Sequence, residues 1–167
     1  MLIYIVGFMG AGKTTFGQKL AKAIGYNFID LDHFIEEQHL ATINNLFNKL
    51  GETGFRELER NALKTTRQFT HTVIATGGGT PCFFDNMQWM LTQGKVIYLK
   101  VEEDVLLSRL LNEQAHRPLI SGLNKAELLD FITTNLMLRE SYYSQSSITL
   151  TTREVEIVDL STILLKM

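Results

Sequence analysis

The run Gly7-Phe8-Met9-Gly10-Ala11-Gly12-Lys13-Thr14 stands between an apolar, β-rich segment and a stretch of helical period. Its spacing, a glycine, four free positions and then Gly-Lys-Thr, is that of a phosphate cradle, and so is its setting. Gly7, Gly10 and Gly12 let the backbone approach a polyphosphate, and the amides from Gly10 and Ala11 to the helix start turn a positive dipole end toward it. Lys13 reaches the β- and γ-phosphates, Thr14 has the hydroxyl position that ligates Mg²⁺, and Thr15 supports the helix start or the phosphates. A glycine-rich turn that bound nothing would lose backbone entropy without a reason, so nucleotide binding is the first inference from the chain. The motif alone leaves kinase, motor, switch and ATPase chemistry open, since one fold hosts them all.

Further residues bear on the choice. Asp30-Leu31-Asp32 closes a second β-rich run, and two carboxylates at alternate positions of a strand share a face near the sheet's carboxyl edge. One can hold Mg²⁺ through water and the other can accept a hydroxyl proton; the competing reading is a helix cap at Asp32. Arg56 follows Phe55 and precedes Glu59 by one helical turn, so it can either fork a carboxylate or form a surface ion pair of little energetic weight. Gly77-Gly78-Gly79 supplies no side chains, which suits close backbone approach to a ligand or a tight turn. Arg117 lies in a polar stretch between helical patterns and can neutralise a transferring phosphoryl group or stay solvated, and Arg139 can act as a second clamp on an acidic substrate.

These residues need a frame. Residues 2–6, 27–30, 73–76, 95–101 and 148–151 read as strands, and 14–24, 56–68, 84–93, 105–111 and 126–143 as helical connections long enough for crossovers. That pattern predicts a three-layer α/β/α fold with a five-stranded parallel sheet, one domain over 1–167, a mobile lid at about 112–124 and a final helical tail at 154–165. The chain of 167 residues is 45% hydrophobic, enough for one substantial core. Its net charge of −2 offers no broad basic field for nucleic acid or an anionic membrane, and no apolar run is long enough to span a bilayer. The opening residues 1–6 read as a buried strand and not as a leader, because no basic residues precede them. A single cysteine, Cys82, excludes an internal disulfide and suits a reducing, cytoplasmic setting, and His33 and His39 are not spaced as a zinc pair.

Taken in order, the phosphate loop, the Asp-x-Asp pair, Phe55-Arg56-x-x-Glu59, the triple glycine, Arg117-Pro118-Leu119 and the late Arg139 resemble the shikimate kinase family, with the likeness running from the first strand through Tyr143. The resemblance implies ATP-dependent phosphorylation of the shikimate 3-hydroxyl in aromatic amino-acid biosynthesis, through chorismate, by a cytoplasmic monomer that uses Mg²⁺. It implies that Thr14 and Asp30 serve the metal, that Asp32 is the base, and that Arg56 and Arg139 grip the substrate carboxylate with Glu59 orienting Arg56. Gly78 is implied to contact substrate through its backbone, Phe47 and Phe55 to line the ring pocket, and Arg117 to close over the phosphates. Arg109 and Arg153 are matched to the adenine side, where the likeness is loosest; Ile120 also replaces a leucine common in the family lid. Two rivals share the cradle: a kinase for another acidic acceptor such as gluconate, and a guanine-nucleotide switch. The switch reading rests on Asn124-Lys125-Ala126-Glu127, which ends on the wrong residue and lacks a preceding strand, so a helix cap at Asn124 is the simpler account.

Overall fold

The computed structural model describes residues 1–114, 118–157, 160 and 163. Strand β1 (Leu2–Val6) is buried along its whole length because it lies in the middle of a five-stranded sheet. The other strands are β2 (Asn27–Asp30), β3 (Thr72–Ala75), β4 (Gly94–Lys100) and β5 (Ile148–Thr151), in the order β2-β3-β1-β4-β5. All neighbours run parallel, with Ile3 opposite Val73 on one side and Lys95 on the other. Parallel pairing requires a crossover between strands, and helices supply it: α1 (Lys13–Ile24), α2 (Leu31–His39), α3 (Ile43–Thr65), α4 (Asn86–Gln93), α5 (Glu103–Leu111) and α6 (Lys125–Tyr143), with α7 (Thr152–Ile157) following β5.

Strand alternation divides the interior into two cores. Ile3 and Ile5 face one side, where Phe16 and Leu20 of α1, Leu106 and Leu110 of α5 and Leu128 and Ile132 of α6 pack on them. Tyr4 and Val6 face the other, against Leu31 and Ile35 of α2, Phe55 and Leu63 of α3 and Met87 and Met90 of α4. Helix α6 begins in the first core and ends in the second, where Tyr143 is fully buried. The expected three-layer α/β/α fold is therefore present, with β3 and β4 each one residue earlier than the sequence pattern placed them.

Helix α4 starts two residues later and α5 two residues earlier than expected, and α3 and the tail also differ. The helix read at 56–68 begins at Ile43, capped by Thr42, and bends at Gly51, whose φ of 67° and ψ of 179° interrupt the helical path. The sequence pattern assigns no element to residues 43–55, yet the amphipathic faces on both sides of the kink bury Leu46 and Phe55 in one core. The tail turns helical at Thr152, two residues before the expected start, and α7 is described as far as Ile157.

Asn124 caps α6 in a reciprocal capping box: its carboxamide accepts from the Ala126 and Glu127 amides, and Glu127 accepts from the Asn124 amide. The tetrapeptide that superficially resembled a base-reading signature is thus committed to starting a helix. Asn124→Ala is expected to lower stability by about 1 kcal/mol, which for a chain of this size lowers Tm by about 2–4 °C. An unchanged Tm by calorimetry would show that the cap contributes nothing.

Candidate active site

The cradle forms where β1 ends. Gly12 takes a left-handed conformation (φ 87°) immediately before α1, and no side chain caps that helix. Helices α2, α3 and α6 spend a side chain on their first amides, whereas α1, like α4 and α5, has no side-chain cap, and only the start of α1 among these three follows a glycine-rich loop that opens onto a pocket. No acidic residue occupies its first turn. Lys13 folds back over the loop and donates to the Gly7 and Phe8 carbonyls, both at 2.9 Å. Thr14 and Thr15 stand exposed at the mouth, while Ala11 is buried beneath it.

The Thr14 hydroxyl donates to Asp30 Oδ2 at 2.7 Å, which sets a hydroxyl and a carboxylate side by side at the edge of the phosphate cradle. The Asp30 side chain also accepts from the Asp32 amide at 3.1 Å and the His33 amide at 3.4 Å. This corrects both earlier readings of the pair. Asp30 and Asp32 do not share a strand face, because Asp30 caps α2 and turns the chain into a helix, and Asp32 belongs to that helix's first turn. Leu31 between them is fully buried, which fixes the turn against the core.

Part of Asp32 remains open to the cleft, but the dense protein around its carboxyl governs its acidity. Burial, then the nearby Glu59 and Asp30, push its pKa up to about 7, and Lys13 only partly opposes them. A carboxyl poised near neutrality can take a proton from a hydroxyl and release it again.

Arg56 and Glu59 form a buried ion pair and not a surface one. The Arg56 guanidinium donates to Glu59 Oε2 at 2.9 Å, with the two side chains only 11% and 1% exposed. The Thr80 hydroxyl donates to the other Glu59 oxygen at 2.6 Å, and the Phe83 ring lies 4.2 Å from the guanidinium carbon. Arg56 Nε is buried and makes no hydrogen bond among the described residues, and the guanidinium lines the second pocket. The triple glycine explains itself here. A Cβ on Gly77 would lie 2.8 Å from Glu59 Oε1, one on Gly78 would lie 3.2 Å from the Met9 amide, and one on Gly79 would lie 2.8 Å from Arg56 Nη1. The missing side chains make room for the groups of the site.

Two pockets meet at this turn. One, of about 560 Å³, runs over the cradle and takes in Lys13, Thr14, Asp30 and Asp32. Its far end is lined by Arg109, Glu113, Val155 and Leu160, and Arg109 donates to the Gly10 carbonyl at 3.0 Å. The other, of about 500 Å³, holds Phe47, Phe55, Arg56, Glu59 and Arg139. Both include Met9, Asp32, Gly77 and Gly78, so Asp32 borders the two cavities. The expected residues are brought together except two: Arg153 is exposed in the first turn of α7 and does not line the cradle pocket, where its helix offers Val155 instead, and Arg117 lies outside the described residues. Sequence reasoning did not single out Met9, Thr80, Phe83 or Tyr143. Met9 and Thr80 adjoin recognised glycines, and Tyr143 follows Arg139 by one helical turn, so adjacency was the available signal.

An α/β sheet with a phosphate cradle at its carboxyl edge and an arginine-lined second pocket defines a P-loop phosphotransferase with an acidic acceptor. Comparison with known proteins narrows this class. A family model described as shikimate kinase matches residues 9–166. Shikimate kinase of Bacteroides thetaiotaomicron is 46% identical over 92% of this chain and 88% of its own, and that of Parabacteroides distasonis is 42% identical over 98% and 97%. Among solved structures, the Bacteroides thetaiotaomicron shikimate kinase superposes with a TM-score of 0.91 at 40% identity, covering 100% of this chain and 99% of that one. The Acinetobacter baumannii shikimate kinase in complex with shikimate gives 0.85 at 36% identity, covering 99% and 90%. The chain belongs to the shikimate kinase family.

The acidity of Asp32 has a measurable consequence. The folded protein keeps this proton up to about pH 7, whereas an unfolded chain releases it near pH ~4, so the folded state binds more protons between those values. Stability from this site is therefore present at the acidic end and declines as pH rises from about 4 to 7. Urea unfolding across that interval is expected to show a shallower decline for Asp32→Asn than for the parent protein; parallel curves would mean that Asp32 titrates normally.

Proposed function

We propose that this protein transfers the γ-phosphoryl group of ATP to the 3-hydroxyl of shikimate, giving shikimate 3-phosphate and ADP. The observation that carries the reading is the meeting of the two pockets at Asp32, with a phosphate cradle on one side and Arg56 and Arg139 on the other. Family membership supplies the acceptor, since geometry alone would also admit another small carboxylate such as gluconate.

In this reading the amides of Gly10, Ala11, Gly12 and the α1 start hold the phosphates, and Lys13 exchanges its carbonyl partners for the β- and γ-phosphate oxygens. Arg109 borders the adenine, and Arg153 keeps a role only at the periphery. Arg56 and Arg139 fork the shikimate carboxylate, Phe47 and Phe55, packed on each other with ring centroids 5.3 Å apart, line one wall of the ring pocket, and Gly78 presents its backbone. Asp32 accepts the proton from the attacking hydroxyl. Arg117 closes over the phosphates from the segment between α5 and α6, which serves as the mobile lid. The Thr14 hydroxyl and Asp30 carboxylate suit a hard divalent cation, and would hold Mg²⁺ as a charge-compensating partner of the phosphates. Among the described residues no cluster of three or more His, Cys, Asp or Glu side chains is placed to hold a metal ion. Among the same residues no helix is long and apolar enough to cross a membrane. ATP as donor and the free Cys82 thiol fit action in the cytoplasm.

The test is ADP release with Mg-ATP in the presence of shikimate, gluconate or no acceptor, with the product identified by mass. Shikimate-dependent turnover with a phosphorylated product is expected, and Asp32→Asn is expected to reduce it by about 10²–10⁴-fold while ATP still binds. Turnover with gluconate alone would reassign the acceptor, and near-normal turnover by Asp32→Asn would remove that residue from the base role.

A further inference from the structure

Beyond the residues that reach the ligands, one buried group joins the two elements that present them. The Tyr143 hydroxyl donates to the Gly78 carbonyl at 2.6 Å, across 65 residues of chain. Tyr143 lies one helical turn after Arg139 on α6, and the Arg139 guanidinium sits beside its hydroxyl. The Gly77 carbonyl accepts from the Thr80 amide at 3.2 Å, so with the Tyr143 bond both peptide planes flanking Gly78 are held. A Cβ on Gly78 would come within 3.7 Å of Arg139 Nη1, which places the helix arginine directly over this turn.

The remainder of α6 is fastened nearby. Glu140 accepts from the Tyr98 hydroxyl at 2.7 Å and from Lys100 at 2.6 Å, and the Tyr98 ring packs on the Tyr143 ring with centroids 5.0 Å apart. Those contacts pin the helix to β4. Only the Tyr143 hydroxyl among them reaches the glycine turn. Burial raises its pKa well above the ordinary tyrosine value, so it remains a protonated donor at working pH.

We propose that Tyr143 is a positioning residue for the acceptor, its hydroxyl fixing the spacing between Arg139 on α6 and the Gly78 backbone so that both meet one bound substrate. The proposal rests on the acceptor reading above. It assigns Tyr143 no contact with substrate and no part in proton transfer.

The test is calorimetric binding of shikimate and of ATP to the parent protein, Tyr143→Phe and Tyr98→Phe, with KM and kcat for each and Tm recorded alongside. Tyr143→Phe keeps the ring and removes only the tie. Its shikimate Kd and KM are expected to rise about 3–10-fold, the equivalent of one neutral hydrogen bond, with ATP affinity nearly unchanged, Tm lower by about 2–4 °C and kcat within about twofold. Tyr98→Phe, whose hydroxyl goes to Glu140 and not to the turn, is expected to bind shikimate as the parent does. Unchanged shikimate affinity in Tyr143→Phe overturns the proposal, as does a common loss of shikimate and ATP binding, equal losses in both variants or failure of Tyr143→Phe to fold, each of which marks a packing role. Absence of shikimate binding to the parent protein would instead remove the acceptor reading and this inference with it.

Discussion

The buried ion pair between Arg56 and Glu59 is the constraint around which the acceptor side of the molecule is arranged. Two charges taken out of water are tolerated only when their remaining hydrogen-bonding capacity is met, and removing one partner of such a pair typically destabilises by about 3–5 kcal/mol. Here Thr80 fills the second oxygen of Glu59, Phe83 covers the guanidinium, and the glycines opposite leave the space both groups occupy. Glu52 lies 3.6 Å from the same guanidinium, and among the described residues Arg56 Nε donates no hydrogen bond. In the proposed function, an incoming carboxylate finds a cation already desolvated and oriented, which reduces the ordering penalty of binding.

The same negative cluster shapes the proton chemistry. Glu59 lies near enough to Asp32 to help hold its proton, while Lys13 pulls the other way. The arrangement therefore links the two pockets electrostatically: the group that steadies Arg56 also raises the basicity of the carboxylate at the junction. On the nucleotide side no comparable buried charge is needed, because the uncapped start of α1 supplies fixed dipoles from the backbone.

Much of this was legible in the sequence because it depends on local chemistry. The cradle motif is written in glycines and a lysine at set spacing between a strand and a helix, and the helix cap expected at Asn124 is present, with Glu127 completing it as a capping box. The strand order was not legible, since it is decided by which crossovers pack on which face. Nor was the role of Asp30 as a cap, because alternation in Asp30-Leu31-Asp32 suits a strand until burial of Leu31 turns the chain. The burial of Arg56 and Glu59 likewise comes from distant residues: Thr80 and Phe83 are far along the chain, and a helical i, i+3 pair reads identically whether it faces water or the core. The first half of α3 was hidden by Gly51, whose non-helical φ and ψ interrupt the helix, while burial of Leu46 and Phe55 on either side of it is decided by distant residues.

The central claim is that Glu59 acts on the acceptor through Arg56, and the direct measurement is a double-mutant cycle on shikimate affinity using Arg56→Lys, Glu59→Gln and the two combined. Each single substitution is predicted to weaken binding by at least ~10-fold, with the double variant no worse than Arg56→Lys alone. Losses that multiply in the double variant, or unaltered affinity in Glu59→Gln, would contradict the account.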